Sequence, residues 1–245
     1  MEYFTLSRKN MADLLHSLNG QHSKTPTMIL KEAWSLTNKE ELSTLISSGM
    51  PSIFEKILKH TKNEIGFSIN EIVALGNQIE YTHLSPSAVQ NWVKRDIKEL
   101  VGRPQIGKKY NVDQATMLLI VEDLKSSLDF DSIRKILTLA FNNPEDRSDD
   151  IIHPIDLYSA YAFVFEKLHH RPLPPVDGSG PMNEWIEQFI HKECRDILPI
   201  FHHLNEDQMN SVLNVLIVSS LSVQAAYYQS AAKRYVYAAL FMQEK

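Results

Sequence analysis

Cysteine is almost absent from these 245 residues; Cys194 stands alone. A lone thiol cannot close an internal disulfide, which excludes the stapled extracellular scaffolds and fits a reducing compartment. Glycine is scarce too, at 8, and no P-loop, dinucleotide glycine fingerprint, G-x-S-x-G or H-E-x-x-H occurs. Those absences remove the commonest nucleotide-dependent, hydrolytic and zinc-dependent chemistries. The expectation is a protein that is not an enzyme and carries no cofactor. Long hydrophobic runs are missing as well. The most apolar window, VLNVLIVSSLSVQAAYY (residues 212–228), is interrupted by Asn214, Gln224 and serines, and falls short of the roughly 20 apolar residues of a membrane span. The opening MEYFTLSRKN lacks a positively charged start followed by an apolar stretch. A cytoplasmic protein without membrane contact is expected.

Hydrophobic residues at 43% and charged ones at 22% supply enough apolar material to bury a core in one large or two modest domains. Frequent Leu, Ala, Ile and Ser lean toward helices. The formal charge of -5 argues against a chain that coats nucleic acid along its whole surface, but its distribution is uneven. Between Ser85 and Val112 six basic residues face two acidic ones, a local +4 that leaves -9 on the remainder.

Helix signals punctuate the chain. Ser7 before Met11, Leu14, Leu15 and Leu18, with Gly20 as a stop, marks a first helix. Pro51 suits a first helical position ahead of Ile53, Phe54, Ile57 and Leu58. Ser68 with Glu71, and Asn111 with Gln114, are spaced for reciprocal capping, in which each side chain satisfies a free backbone donor at the other position. Asp131 is expected to cap DSIRKILTLAF. NNPEDRSDD (142–150) reads as a polar linker, and RPLPPVDGSGP (171–181) as a loop. Pro154 opens another helix, and Asn205 with Gln208 begins a long one reaching toward Phe241.

Most of the functional signal lies in LSPSAVQNWVKRDIKELVGRPQIGKKYNVDQA (84–115). With Ser85 as N-cap and Pro86 at the first helical position, Val89, Trp92, Val93 and Ile97 gather on one side at 100° per residue. Ser87, Asn91, Lys94 and Lys98 fall opposite, flanked by Gln90 and Arg95. Amides and guanidinium groups can read base edges, and lysines can meet phosphates. Beyond Gly102 and Pro104 the run RPQIGKKY reads as a short β hairpin with a glycine turn. It offers Arg103, Lys108 and Lys109 to a phosphate backbone. Asp96 falls near the apolar side, where a local salt bridge is expected to hold it.

The run SPSAVQNWVKRDI…GRPQIGKKYNVDQA…LDFDSIRKIL resembles the winged helix-turn-helix of MerR-type regulators, through Ser85, Val89, Trp92, Lys94, Arg95, Gly107, Lys109, Tyr110, Asp113, Phe130 and Ile133. The match covers about a third of the chain. The GNQIEYTH link is longer than is usual in that family, and the family's dimerising coiled coil and metal-binding cysteines are missing. As a whole the chain also resembles a bacterial family catalogued as a domain of unknown function. The resemblance implies an all-α fold: residues 67–141 as a helix-turn-helix with a small β wing, flanked by N-terminal helices (1–66) and a C-terminal helical region (142–245). It implies a transcriptional regulator that binds double-stranded DNA through Ser87, Gln90, Asn91 and Lys94 in the major groove. Arg95, Lys98, Arg103, Lys108 and Lys109 would then lie on phosphates. The alternative is a helical adaptor that binds another protein with the same fold.

The remaining candidates are weaker. His191 and Cys194 stand at i, i+3, but a zinc site usually wants two such pairs, so no metal is expected. His169, His170, His202 and His203 are read as residues at helix ends, near the negative pole of the dipole. The C-terminal helix, rich in Ser and Ala between bulky residues, is best read as a core helix. Pairing of two subunits as a homodimer and a small-molecule effector pocket beside AYAFVF both stay open.

Overall fold

The computed structural model describes residues 5–38, 50–60, 64–143, 146–170 and 182–243; the proline-rich loop expected at 171–181 lies outside them. Helix α1 (Arg8–Leu18) starts at Ser7, whose hydroxyl accepts from the Asn10 N–H, and stops before Gly20 at φ 72°. Helices α2 (Pro26–Asn38) and α3 (Ser52–Lys59) follow, with Pro51 one residue outside α3. Helix α4 (Ile69–Gly76) carries the Ser68–Glu71 capping box. The next stretch divides into α5 (Pro86–Asn91), a π turn (Trp92–Asp96) and α6 (Lys98–Val101). Helix α7 (Val112–Lys125) has the reciprocal Asn111–Gln114 cap. Helix α8 (Phe130–Leu137) is capped by Asp129 rather than Asp131. Asp129 accepts from the Ser132 N–H, and Asp131 pairs with Lys135 at 2.6 Å instead. Helices α9 (Pro154–His170), α10 (Met182–Ile197) and α11 (Glu206–Gln243) complete the chain, the last begun by mutual hydrogen bonds between Asn205 and Gln208.

The fold is all-α, with no β-sheet among the described residues and only three isolated bridges. Helix α7 lies at its centre. Eight successive residues, 114–121, are buried, as happens when a helix is covered on every side. Helix α9 packs on α1, α7, α10 and α11. The buried apolar side chains form one continuous cluster from Leu6 to Val223, each fully buried aliphatic contributing a gross ~1.5–3 kcal/mol. By length and composition α11 could cross a membrane, but half of its most apolar stretch is buried inside the protein. Its first half is therefore a core helix. Past Tyr227 it projects, leaving Tyr235 80% and Phe241 61% exposed.

Two further local expectations are corrected. One continuous helix from Ser85 through Lys98 is interrupted. The Ile97 N–H reaches back to the Trp92 carbonyl at 3.0 Å, a wide turn, and Ile97 itself leaves helical geometry at φ -137°. The wide turn lets Trp92, Val93 and Ile97 all reach the core, and it places Lys98 on a separate short helix. The expected β wing is not formed, and a two-residue turn stands in its place. Ile106 and Lys109 exchange backbone hydrogen bonds at 2.9 Å around Gly107 at φ 61°. Pro104 has no N–H to extend that pairing, and Tyr110 pairs with Phe67 instead, at 2.7 and 2.8 Å.

Candidate functional site

The basic surface is built outward from Trp92. Its indole is 3% exposed and meets Phe130 of α8 edge-on, with ring centroids 5.9 Å apart. The Lys125 ammonium lies over its ring at 5.1 Å, a cation–π contact that a partly dry setting strengthens. With that side anchored, Ser87, Gln90, Asn91, Lys94 and Arg95 are exposed on α5 and the π turn, and Lys98 is exposed on α6. Arg103, Lys108 and Lys109 are exposed on the segment that follows. All nine predicted side chains are therefore open to solvent in this chain.

Their charges are not equivalent. Arg95 donates to Asp96 at 2.8 Å, the salt bridge expected to hold that carboxylate, and the pairing raises its guanidinium further above its ordinary value. Lys109 lies 3.7 Å from Glu71, which also pairs with Lys56 at 2.9 Å. Glu71 is held below the usual carboxylate range: its burial opposes this, but the Ser68 and Lys56 hydrogen bonds outweigh it. Among the described residues Lys94, Lys98, Arg103 and Lys108 have no carboxylate partner. These four are the free cations of the face.

The frame behind them satisfies the backbone broken at Ile97 and Gly102. Arg134 donates to the Asp96 carbonyl at 2.6 Å, and Arg147 to that of Leu100 at 2.8 Å. Gln114, wholly buried, donates to the Val101 and Arg103 carbonyls at 2.8 and 2.6 Å while accepting from the Gln105 and Asn111 N–H groups. The approach to α5 is clamped in the same manner: Asn77 accepts from the Leu84 N–H at 2.7 Å and donates to its carbonyl at 3.0 Å. Gly76 permits this, since a Cβ there would come within 2.2 Å of Leu84. Gln114 was legible only as a capping partner. Arg147, in the stretch read as a solvated linker, has a buried side chain.

Sequence reasoning missed the Arg8 clamp altogether. Arg8 is 1% exposed. It donates to Asp123 through Nε at 3.2 Å and Nη2 at 2.7 Å, and through Nη1 to the Glu80 carbonyl at 2.8 Å. Tyr161 donates to the other Asp123 oxygen at 2.8 Å. Burial opposes the Arg8 charge, but Asp123 outweighs it and holds the guanidinium protonated. Leu6 pairs with the backbone of Gln78 and Glu80 at 2.6 and 3.0 Å. The GNQIEYTH link is thus where the N-terminal segment docks. The only available signal was its co-occurrence with an extra N-terminal helix.

The histidines and the cysteine go elsewhere. Cys194 is buried against Ser220, its Sγ 3.7 Å from that hydroxyl, and burial pushes its thiol up to about 11. His169 sits between Phe165 and Tyr227 with its Nε2 3.0 Å from Gln224.

A family model described as a domain of unknown function (DUF1836) matches residues 58–161. Over 234 residues the chain is 39% identical to the uncharacterized protein YkrK of Bacillus subtilis (strain 168), covering 96% of this chain and 97% of that protein. The chain belongs to the DUF1836 family. No solved structure matches it. The segment matched by the DUF1836 model contains the whole basic surface together with Asp123 and Tyr161, while Arg8 lies outside it. In this DUF1836 protein the docking cation is therefore supplied from beyond the family segment.

Proposed function

We propose that this DUF1836 protein is a DNA-binding transcriptional regulator, with residues 67–141 acting as a MerR-like helix-turn-helix and the turn at Gly107 as a reduced wing. The observation that carries the reading is a solvent-open face on which four cations lack carboxylate partners among the described residues, while the body of the chain is negative. Cations left unpaired beside exposed amides and a hydroxyl suit phosphates flanking base edges. Ser87, Gln90, Asn91 and Lys94 would enter the major groove. Arg95, Lys98, Arg103, Lys108 and Lys109 would meet phosphates, with Arg95 exchanging its contact to Asp96 for one to DNA.

The test is fluorescence anisotropy with a pool of random-sequence duplexes over a salt series. Each phosphate contact contributes roughly -0.9 to the slope of log K against log salt. Joint Lys108→Ala and Lys109→Ala substitution should flatten the slope by up to about 1.8. Binding that is absent, or indifferent to salt, defeats the reading and favours the protein-adaptor alternative.

The projecting end of α11 supports a homodimer as the DNA-binding form. Tyr228 and Tyr235 recur at i, i+7, with Ala231, Ala232, Ala238 and Ala239 in the intervening layers. In an antiparallel pair large layers face small ones, which makes this stripe complementary to a second copy of itself. With aromatic side chains covering ~150–250 Å² each when buried, two copies would cover on the order of 1,000 Å², enough for a specific interface. Light scattering should give twice the chain mass, reverting to one chain in Tyr235→Glu.

A further inference from the structure

Residues 81–83 of the link, the end of α7 and the far part of α11 enclose a polar cavity of about 210 Å³. It is walled by Tyr81, Glu122, Lys125, Gln229 and Lys233, among others. Three features mark it off from an accidental cleft. Tyr81 stands at φ 61°, the one non-glycine residue with positive φ among those described, a conformation disfavoured by its Cβ and retained where surroundings enforce it. Its ring is fixed edge-on against Phe165 and Tyr227 at 6.4 and 5.3 Å. The second feature is Glu122. Its Oε2 is buried with no hydrogen bond among the described residues, and its ion-pair partner Lys125 stands off at 3.4 Å. The third is Lys233, an exposed cation with no carboxylate partner among the described residues.

The other charged groups of the wall are already engaged. Asp123 is saturated by Arg8 and Tyr161, and Lys125 is held over Trp92. What remains is the Glu122 carboxylate on the α7 side, whose Oε2 is met only by Lys125 standing off at 3.4 Å, and an ammonium without a carboxylate among the described residues on the α11 side. A donor cation and an anion carried by one compact molecule would satisfy both, whereas a simple anion would meet the Glu122 charge and a simple amine would leave Lys233 unmatched.

We infer that this cavity binds a small zwitterion of amino-acid size, its ammonium taken by Glu122 and its carboxylate by Lys233. Burial raises the Glu122 carboxyl above its ordinary range, with Lys125 and the His83 backbone N–H opposing that rise; a bound ammonium would bring it back down. Binding stands without any DNA reading. Its consequence, which rests on the proposed function, runs through Lys125: an ammonium at Glu122 competes for the charge that holds Lys125 between Glu122 and the Trp92 ring, and so reaches the anchor of the basic face.

Isothermal titration of the full chain with each common α- and ω-amino acid, without DNA, tests the site. At least one should bind saturably. Since a charge-assisted hydrogen bond is at stake, affinity should fall roughly tenfold or more in Glu122→Gln and again in Lys233→Met, with Lys192→Met unchanged as the distant control. In a Trp34→Phe, Trp185→Phe background, the same ligand should alter Trp92 emission. If none of these compounds binds, or if one binds equally well to Glu122→Gln, the proposal is overturned. Because neither readout contains DNA, its failure is separable from failure of the regulator reading.

Discussion

Beneath the surface, the Arg8 guanidinium meets Asp123 and the Glu80 carbonyl, and Tyr161 takes the remaining Asp123 oxygen. On the outer face, Lys94, Lys98, Arg103 and Lys108 meet no carboxylate among the described residues. The same kind of charge is handled in opposite ways in the two places. A buried ion must be matched donor for acceptor, because low dielectric makes an unpaired one costly. A solvated lysine pays nothing for lacking a partner and stays available to one from outside. The comparison separates cations that hold the fold from cations free to act.

The sharpest way to break that comparison is to remove one cation of each kind. Arg8→Leu strands Asp123 in the core and should cost about 3–5 kcal/mol, read by urea denaturation; Arg8→Leu combined with Asp123→Leu should recover part of that loss. Lys94→Ala and Lys98→Ala should each leave stability within ~0.5 kcal/mol. Equal losses in the two sets would dissolve the distinction. Next in size is Gln114→Leu, which leaves the Val101 and Arg103 carbonyls without donors and should cost about 1–3 kcal/mol.

A finer contrast lies between two neighbouring tyrosines, both buried, with rings 5.1 Å apart. The Tyr161 hydroxyl bonds Asp123, and that of Tyr158 has no hydrogen-bond partner among the described residues. Tyr161→Phe should lose about 1–2 kcal/mol and Tyr158→Phe close to nothing, since removing an orphaned hydroxyl relieves its desolvation. Thermal unfolding of the two isosteric variants distinguishes them.

The sequence disclosed the parts of this molecule that rest on local chemistry. Ser68 with Glu71, Asn111 with Gln114, and Ser85 with Pro86 each mark a helix start because the capping partners lie within four residues. The outward direction of Ser87, Asn91 and Lys94 was legible for the same reason, as a consequence of which side Trp92 buries. What escaped was decided by distance along the chain. Arg8 and Asp123 are separated by 115 positions, and a lone arginine after a serine cap gives no hint of such a partner. The π turn escaped because its residues fit an ordinary helix equally well; it is packing of Trp92, Val93 and Ile97 together that selects the wider winding. The pairing of Phe67 with Tyr110 likewise needed the fold before it could be seen, and it takes backbone that the expected hairpin would have used.

The smallest expected effect concerns a charge intermediate between the two kinds. His153, half-buried at the start of α9, lies 3.2 Å from Asp113 at the start of α7, with Asp150 and Asp156 also facing it. Burial works against its charge, but the Asp113 hydrogen bond and charge outweigh that, so the imidazole is raised above its ordinary 6.5. A raised folded-state value means the folded protein holds the proton more tightly than the unfolded chain. The contribution is complete below about 6.5 and is lost as pH climbs through the folded-state value. Glu80, Glu122 and Asp150 are also raised, chiefly by burial, and lose stability with rising pH in the same sense, but from the lower carboxylate range upward. His153→Gln should therefore flatten only the near-neutral part of the stability profile and leave the acidic part intact. Urea midpoints of the natural chain and the variant, taken on both sides of the imidazole range, separate the two contributions. A variant profile parallel to the natural one throughout would mean that His153 is neutral in the folded protein, and that the contact with Asp113 belongs with the ordinary hydrogen bonds rather than with the paired charges.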